Sequence, residues 1–255
     1  MNRWVCTVAY DGTEFDGWQS QPSGNAVQDY IEKRLSNILK QPANIHGSGR
    51  TDAGVHALGQ VFHTDIPWNH GGEALKRALN TGIPDTIRIT NCQESPIGSE
   101  FHARFSATGK RYTYHLSIGE VSPFECRFVT ALHAKHFRLE EMLAATDLFL
   151  GKHDFAGFAA RREPGVPVSD SIREIYAITW ESKPDDRWVL SVEGSGFLYK
   201  MVRSIVGSLI QVGLGRLEIP DIEHIIETAK RNHNVNTAPP QGLFLDRVFY
   251  PKGKL

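Results

Sequence analysis

The residues with the clearest chemical potential lie in the segment GSGRTDAGVH, residues 47–56. Its glycines reach backbone angles closed to other residues and let a ligand approach the main chain closely. Asp52 is the only carboxylate between Glu32 and Asp65, and Arg50 precedes it by two residues. A lone acid on a glycine-lined loop could act on a bound substrate, but an aspartate that only bonds its own turn has the same local sequence. Both interpretations are open on this segment alone.

The composition indicates an ordinary globular protein. The 255 residues are 40% hydrophobic and 22% charged, and this length suits two small domains or one large one. The three cysteines are odd in number and form no paired motif, which argues against a disulfide framework or a zinc site. The first residues do not have the pattern of a signal peptide. We therefore expect a cytoplasmic protein that does not associate with membranes.

The charged residues are unevenly distributed, although the net charge is only −1. Residues 101–119 and residues 195–216 contain lysines and arginines but no acid, and the surroundings of Asp52 are also poor in acids. Ordinary patchiness is one explanation. Three basic windows nevertheless favour a localised anionic partner such as a nucleic acid, because the distribution of charge matters more than its total.

The hydrophobic pattern predicts two successive β-α-β-β-α-β units. The predicted elements of the first are a strand at Trp4–Tyr10, a helix at about Ala26–Leu39, a short strand before the Asp52 loop, a strand at Gln60–Asp65, a helix at Glu73–Leu79 and a strand at Thr86–Thr90. Those of the second are a strand at Lys110–Ile118, a helix at Leu139–Leu150, strands at Ile172–Trp180 and Trp188–Val192, helices at Phe197–Val212 and from Pro220 to about Lys230, and a strand at Leu243–Tyr250.

This order predicts an α/β (α+β) fold in which two ferredoxin-like halves meet in a mixed, mainly antiparallel sheet. We expect an N-terminal half at residues 1–100, with the Asp52 loop, and a C-terminal half at residues 101–255. The helix at Phe197–Val212 is apolar nearly all round and contains Lys200 and Arg203, so we expect it in the core. The segment Ala159–Ser169 contains two prolines and is expected to be a flexible loop.

Five sequence blocks, taken together, resemble a known family. They are YDGTEFDGWQSQP at 10–22, GSGRTDAGVHALGQVFH at 47–63, FHARFSATGKRYTY at 101–114, MVRSIVGSL at 201–209 and GLFLDRVFYP at 242–251. They span nearly the whole chain and follow the order found in the bacterial tRNA pseudouridine synthase A family. One GRTDAG block alone would only be suggestive, whereas chance agreement of five ordered blocks is very improbable.

The resemblance implies a homodimeric isomerase that converts uridines in the anticodon stem-loop of tRNA to pseudouridine, with no cofactor and no metal. Asp52 falls on the catalytic aspartate of the family, and Arg203 falls on a basic residue beside that aspartate. Tyr112 falls on the tyrosine that stacks on the target base. Arg50 falls on the arginine implicated in holding the flipped-out nucleotide. By their charge, Arg104 and Arg111, together with Lys110, would neutralise phosphates.

The residue chemistry is compatible with this reaction and leaves alternatives for single residues. A carboxylate can attack the sugar or the uracil ring, or stabilise charge on the sugar, and a nearby cation favours its ionised form. Arg203 could instead extend to the surface or pair with Asp246. Tyr112 and Tyr114 share one face of a strand, and we expect one of them to pack in the core. His56 follows Asp52 by four residues, and we expect it to make a structural hydrogen bond.

Two other functions are consistent with parts of the sequence. A non-catalytic RNA-binding module could use the glycine-rich loop only to grip phosphates. A metal-dependent hydrolase could be built on Asp52 and His56, but no further ligand lies near them at suitable spacing. Detection of a changed uridine in tRNA separates the enzyme from the binding module, and activity in a strong chelator would eliminate the hydrolase.

Overall fold

The computed structural model describes residues 1–96, 100–160 and 170–253. They form a mixed α/β structure with mainly antiparallel strand pairing, which confirms the predicted fold class. The chain divides into two compact units, Met1–Lys110 with Phe244–Leu255, and Arg111–Leu243. The expected halves at 1–100 and 101–255 differ from these units at the boundary and at the last strand, and as domains they stay a prediction.

The first unit has the predicted β-α-β-β-α-β order and is completed by the last strand of the chain. Strand β1 lies between β4 and β3 and is antiparallel to both, with Cys6 opposite Cys92 on one side and Phe62 on the other. The last strand, β10, runs parallel to the beginning of β3, with Phe244 opposite His56. The bounds are β1 (Asn2–Tyr10), α1 (Val27–Leu39), β2 (His46–Gly47), β3 (His56–Ile66), α2 (Gly72–Asn80), β4 (Ile87–Glu94) and β10 (Leu243–Phe249).

Apolar spacing explains the helices of this unit. Val27, Ile31 and Leu35 recur every four residues along α1, so they share one face, and all three are fully buried. At the start of α1 the carboxylate of Asp29 accepts a hydrogen bond from the Ala26 amide at 2.9 Å, which satisfies one main-chain donor of the first turn. Strand β3 is buried on both faces from Gln60 to Thr64, as expected for a strand inside a sheet.

The second unit contains a sheet in the order β5-β9-β8-β7, with β6 parallel to β5. Strands β8 and β9 form an antiparallel hairpin in which Trp180 lies opposite Leu190. The bounds are β5 (Gly109–Ile118), which runs into this unit, β6 (Thr130–Leu132), α3 (Leu139–Thr146), β7 (Gly151–Asp154), β8 (Ile172–Lys183), β9 (Arg187–Gly194), α4 (Met201–Gly213) and α5 (Ile219–Thr228).

Helix α4 is the predicted core helix, and its start differs from the prediction. It begins at Met201 because Lys200 has a left-handed backbone conformation with φ 58°, which an α-helix cannot include. Every residue of α4 except Arg203 is buried. Among the described residues, no helix is both long enough and apolar enough to cross a membrane.

Three further details differ from the sequence prediction. The helix expected to reach Leu150 ends at Thr146 and continues as a 3-10 turn at Asp147–Phe149. The short strands β6 and β7 were not predicted. The loop predicted at Ala159–Ser169 lies outside the described residues except for Ala159 and Ala160, which form no regular structure.

Candidate active site

The Asp52 loop, residues 48–55, connects β2 to β3 and is anchored at its first two residues. The Ser48 amide donates to the carbonyl of Val61 at 2.7 Å, and Ser48 Oγ donates to Gln60 Oε1 at 2.6 Å. Gln60 Nε2 in turn donates to the carbonyl of Gly49 at 2.8 Å. Ser48 and Gln60 are fully buried, so these bonds are shielded from water. The base of the loop is therefore fixed to the middle of β3.

Lys110 supports the same end of the loop from the beginning of β5. Its Nζ donates to the carbonyl of Ser48 at 2.8 Å. Burial lowers the pKa of Lys110 from its ordinary 10.5 to about 8, and the positive charge of Arg104 contributes to this shift. Lys110 therefore turns inward to the main chain of the loop, a role that differs from the phosphate contact expected from its charge.

The residue before Asp52 is held by the last residue of β1 and by the segment that follows this strand. Thr51 is buried, and its Oγ1 lies 2.8 Å from the hydroxyl of Tyr10. Its carbonyl accepts a hydrogen bond from the Trp18 amide at 3.2 Å. Gly17 packs against this carbonyl so closely that an added Cβ would lie 2.5 Å from the oxygen, and its φ of +94° also requires glycine.

On the C-terminal side, Asp52 is the first residue of a turn formed by residues 52–55. The Val55 amide donates to the Asp52 carbonyl at 3.1 Å, and Gly54 has φ 75°, the left-handed conformation that glycine favours at the third position of a turn. The main chain is thus fixed on both sides of Asp52, whose side chain is only half-buried. This geometry can hold a carboxylate at a constant position where a substrate reaches it.

His56, the first residue of β3, is a structural residue, which confirms the expectation for it. Its ring is buried and stacks on Phe244, with ring centroids 4.6 Å apart and planes at 27°. Nδ1 accepts a hydrogen bond from the Gly12 amide at 2.9 Å and lies 3.2 Å from Asp11 Oδ1. These contacts fix the ring at the beginning of β3.

Arg50 and Arg104, the other predicted site residues of the first unit, are exposed. Arg50 Nε donates to Gln19 Oε1 at 3.2 Å, a weak contact at the surface. The Arg104 guanidinium lies over the ring of Phe105, 5.7 Å from its centroid. Both side chains are accessible to an anionic ligand.

Tyr112 and Tyr114 are buried along one face of β5, which confirms the predicted shared face. Tyr114 is the core member of the pair: its hydroxyl lies 2.7 Å from Thr130 Oγ1 and donates to the Pro239 carbonyl at 3.0 Å, and burial raises its pKa. Tyr112 keeps 8% of its surface exposed, and its ring meets Phe197 edge to face at a centroid distance of 5.2 Å.

The two basic site residues predicted in the second unit have carbonyl and carboxylate partners. Arg203 Nε donates to the carbonyl of Ala238 at 2.8 Å, and the Ala238 amide donates back to the Arg203 carbonyl at 2.9 Å. Arg111 Nε donates to Glu193 Oε1 at 2.6 Å. A phosphate approaching Arg111 therefore meets a guanidinium whose charge is already partly compensated.

The predicted site residues fall in both units, and the residues that hold the loop were missed. Asp52, Arg50 and Arg104 belong to the first unit; Tyr112, Arg111 and Arg203 belong to the second. The supporting residues Tyr10, Trp18 and Gln60 lie inside sequence blocks already quoted, which was the available signal for them. Among the described residues, no group of three or more His, Cys, Asp and Glu side chains is arranged to hold a metal ion.

Comparison with known proteins identifies the family. The family model described as tRNA pseudouridine synthase matches residues 7–106 and 145–251. The chain is 42% identical over 259 residues to tRNA pseudouridine synthase A of Akkermansia muciniphila, covering 99% of this chain and 96% of that protein. It is 37% identical over 254 residues to tRNA pseudouridine synthase A of Exiguobacterium sibiricum, covering 100% and 99% of the two chains. The protein of the same name in Ruminiclostridium cellulolyticum is 40% identical over 250 residues, covering 98% and 100%. The resemblance noted in the sequence is confirmed, and the chain belongs to the tRNA pseudouridine synthase family.

Proposed function

We propose that this enzyme acts on uridines in the anticodon stem-loop of tRNA and uses Asp52 as its catalytic carboxylate. Its family membership makes it an isomerase of tRNA uridine. The observation that carries the assignment of Asp52 is the anchored loop: hydrogen bonds fix the main chain on both sides of the only carboxylate in residues 48–55. The anticodon stem-loop is supported by the sequence resemblance.

The reaction exchanges one bond of the sugar for another and needs no outside oxidant or reductant. The bond between C1′ and N1 breaks, the uracil turns, and C5 bonds to C1′. The hydrogen on C5 leaves as a proton, and N1 takes up a proton, so atoms and electrons balance. An anchored carboxylate can attack the sugar, attack the uracil ring, or stabilise the positive charge that develops on the sugar.

A carboxylate at this position argues for chemistry over simple binding. RNA is a polyanion, so an acid beside its backbone opposes association. A module that only bound RNA would gain nothing from Asp52 on a loop held by buried hydrogen bonds. An enzyme that acts on the sugar or the base needs an ionised oxygen close to the reacting nucleotide. The alternative of a non-catalytic RNA-binding module is therefore the weaker one.

We propose that Tyr112 stacks on the target base and that Arg50 binds the phosphate of the target nucleotide. A base inside a stem must leave its stack before an enzyme can reach it, and an aromatic ring replaces the stacking that is lost. Tyr112 packs edge to face with Phe197 and is not fully buried. Arg50 is exposed two residues before Asp52, where its guanidinium can reach a phosphate. Arg104 and Arg111 are proposed to bind more distant phosphates, with Arg111 exchanging Glu193 for the RNA.

We further propose that Arg203 acts electrostatically on the reacting carboxylate of Asp52. Its family position and its place as the one incompletely buried residue of α4 support this role. Arg203→Lys keeps the charge and is expected to retain part of the turnover, whereas Arg203→Met is expected to lose it with little change in tRNA affinity. Equal turnover by the two variants would contradict the electrostatic role.

The resemblance also supports a homodimer that works in the cytoplasm. Light scattering at micromolar concentration, followed by turnover measured on the same sample, tests the assembly. We expect the mass of two chains. A fully active single chain would refute the proposed dimer.

The decisive experiment follows the hydrogen on C5. Transcribed tRNA containing uridine tritiated at C5 is incubated with the wild-type protein and with Asp52→Asn, which keeps the shape of the side chain and removes its charge. We expect the wild-type protein to release tritium to water, and we expect Asp52→Asn to release none while binding tRNA at least as well. Comparable release by both proteins would remove Asp52 from the mechanism. Position-resolved detection of pseudouridine in the product then identifies the modified uridines.

A further inference from the structure

A large aromatic side chain of the first unit is mostly exposed to solvent. Phe105 is 76% exposed, although most phenylalanines of the described chain are buried. It lies in a short loop, residues 101–106, that leads into β5. The Arg104 guanidinium lies over one part of the ring, 5.7 Å from its centroid. An exposed ring of this size next to a cation is a candidate contact surface.

The loop that presents Phe105 is tightly held. The Ser106 amide donates to the His102 carbonyl at 2.9 Å, and the His102 amide donates to Ser106 Oγ at 3.0 Å. The Arg104 amide donates to His102 Nδ1 at 3.1 Å. These bonds close the loop on itself and leave the side chains of Arg104 and Phe105 on the outside.

Three more hydrogen bonds attach this loop to the rest of the first unit. The Ala103 amide donates to His63 Nδ1 at 3.2 Å, and the Ala103 carbonyl accepts from the Tyr250 hydroxyl at 2.7 Å. Arg3 Nη1 donates to the Phe101 carbonyl at 2.6 Å. The exposure of Phe105 is thus set by the fold.

A chain of ring contacts connects Phe105 to three histidines. Phe105 is tilted by 36° to His102, His102 meets His63 edge to face, and His63 and His46 are stacked. The ring of Phe105 lies 4.4 Å from that of His102, which lies 4.6 Å from that of His63, which stacks on His46 at 5.0 Å. We call these four residues the aromatic ladder. Burial lowers the pKa of His63 to about 4, so its ring is neutral at physiological pH. At the Phe105 end of the aromatic ladder the ring is exposed to solvent, so a further flat ring can stack on it.

The surrounding charge favours a nucleotide as that next ring. Residues 101–110 contain no acid, and the exposed guanidinium of Arg104 lies beside Phe105. Unpaired bases stack on aromatic side chains, and a neighbouring guanidinium neutralises the phosphate of the same nucleotide. A symmetric contact between two copies of the chain would instead bring two Arg104 guanidiniums together, which costs energy.

We propose that Phe105 and Arg104 bind one unpaired nucleotide of the tRNA, separate from the target nucleotide, with its base stacked on the end of the aromatic ladder. This inference rests on the proposed function for its ligand, tRNA. It adds a second stacking position to the one assigned to Tyr112. The site would hold the RNA in register while the target base is out of its stem.

Fluorescence and affinity test the proposal with a matched control. Phe124 is a second exposed phenylalanine, at 91%, and lies in the other unit. Phe105→Trp and Phe124→Trp are titrated with unmodified tRNA transcript. We expect quenching of the new tryptophan only at position 105, where the base stacks on it. Phe105→Ala should raise the Kd for tRNA roughly 5- to 140-fold, as expected for one stacked base, and Phe124→Ala should leave it near the wild-type value.

The salt dependence tests Arg104 separately. Arg104→Met should reduce by about one the slope of log Kd against log salt, since one phosphate contact is lost. Circular dichroism verifies that each variant is folded. An unchanged Kd for Phe105→Ala, or no quenching at position 105, would overturn the proposal. A change in the mass of free Phe105→Ala by light scattering would overturn it too, because the ring would then cover a second copy.

Failure of this proposal differs from failure of the proposed function. If tRNA is not the substrate, the wild-type protein itself releases no tritium from the transcript. If only the second stacking position is wrong, the wild-type protein releases tritium and the Phe105 variants bind and turn over the transcript as the wild type does.

Discussion

Replacing Lys110 by methionine tests how the Asp52 loop is held. Methionine has a similar length but cannot donate to the Ser48 carbonyl, so the buried oxygen loses its 2.8 Å partner. A looser loop positions Asp52 less well, and we expect turnover to fall. The more specific consequence is a dependence of stability on pH that the variant lacks.

The sign and size of that dependence follow from the pKa of Lys110. The ordinary value of 10.5 applies to the unfolded chain, and burial lowers the value in the folded protein to about 8. Between these two values the unfolded state binds more protons, so the contribution of Lys110 to the unfolding free energy rises with pH. The full rise corresponds to about 3 kcal/mol, because each pKa unit is worth about 1.4 kcal/mol.

Urea unfolding at pH 7, 8, 9 and 10 measures this contribution as the difference between the wild-type protein and Lys110→Met. Groups common to both proteins cancel in the difference. Above pH 8 we expect the unfolding free energy of the wild-type protein to rise relative to that of Lys110→Met. Near pH 9 this relative rise should have reached about half of its full value. A difference that stays constant from pH 7 to 10 would show that the ammonium group is hydrated. The inward role of Lys110 would then be wrong.

Two further substitutions probe the loop and the target base. Gly17→Ala places a Cβ 2.5 Å from the Thr51 carbonyl oxygen at a φ of +94°, so we expect a loss of about 1–3 kcal/mol in stability and a large loss of turnover. Gly24→Ala is the control: φ is +67° there and no atom lies within 4 Å of the added Cβ, so only the backbone strain remains. The stabilities of the two variants are compared by thermal melting. Equal losses of stability would contradict the role of Gly17. Tyr112→Ala should lose about 1–3 kcal/mol of tRNA binding and Tyr112→Phe should keep most of it, as measured by filter binding. Equal binding by the wild type and Tyr112→Ala would leave Tyr112 a packing or purely chemical role.

The elements of the first unit were predictable because their patterns are local. Helix α1 repeats Val27, Ile31 and Leu35 at the helical period, and the glycines of residues 47–54 indicate a loop.

Strands β6 and β7 of the second unit were missed because three or four residues are too few to show alternation. The start of α4 was missed because the left-handed conformation of Lys200 depends on its surroundings, since nothing in the residue itself requires it.

The loop that carries Asp52 was recognisable in the sequence, but the residues that hold this loop were not. The loop depends on Tyr10, Trp18 and Lys110, which are separated from it by tens of residues, and pairing over such distances leaves no local pattern. Lys110 was therefore assigned to phosphates on charge alone. The bond between Arg111 and Glu193 joins residues 82 apart and was missed for the same reason.

The position of β10 makes the order of synthesis matter for the Asp52 loop. Strand β3 begins directly after the loop at His56, and there its outer neighbour is Phe244 of the last strand. A ribosome that adds 5–20 residues per second needs roughly 10 to 40 s to pass from Ile66 to Phe249. Throughout that interval the nascent chain has the loop but lacks both the strand and the ring that pack against its far end. A nascent or prematurely terminated chain is therefore expected to be inactive, and the cell gains an enzyme only when its last strand has been made.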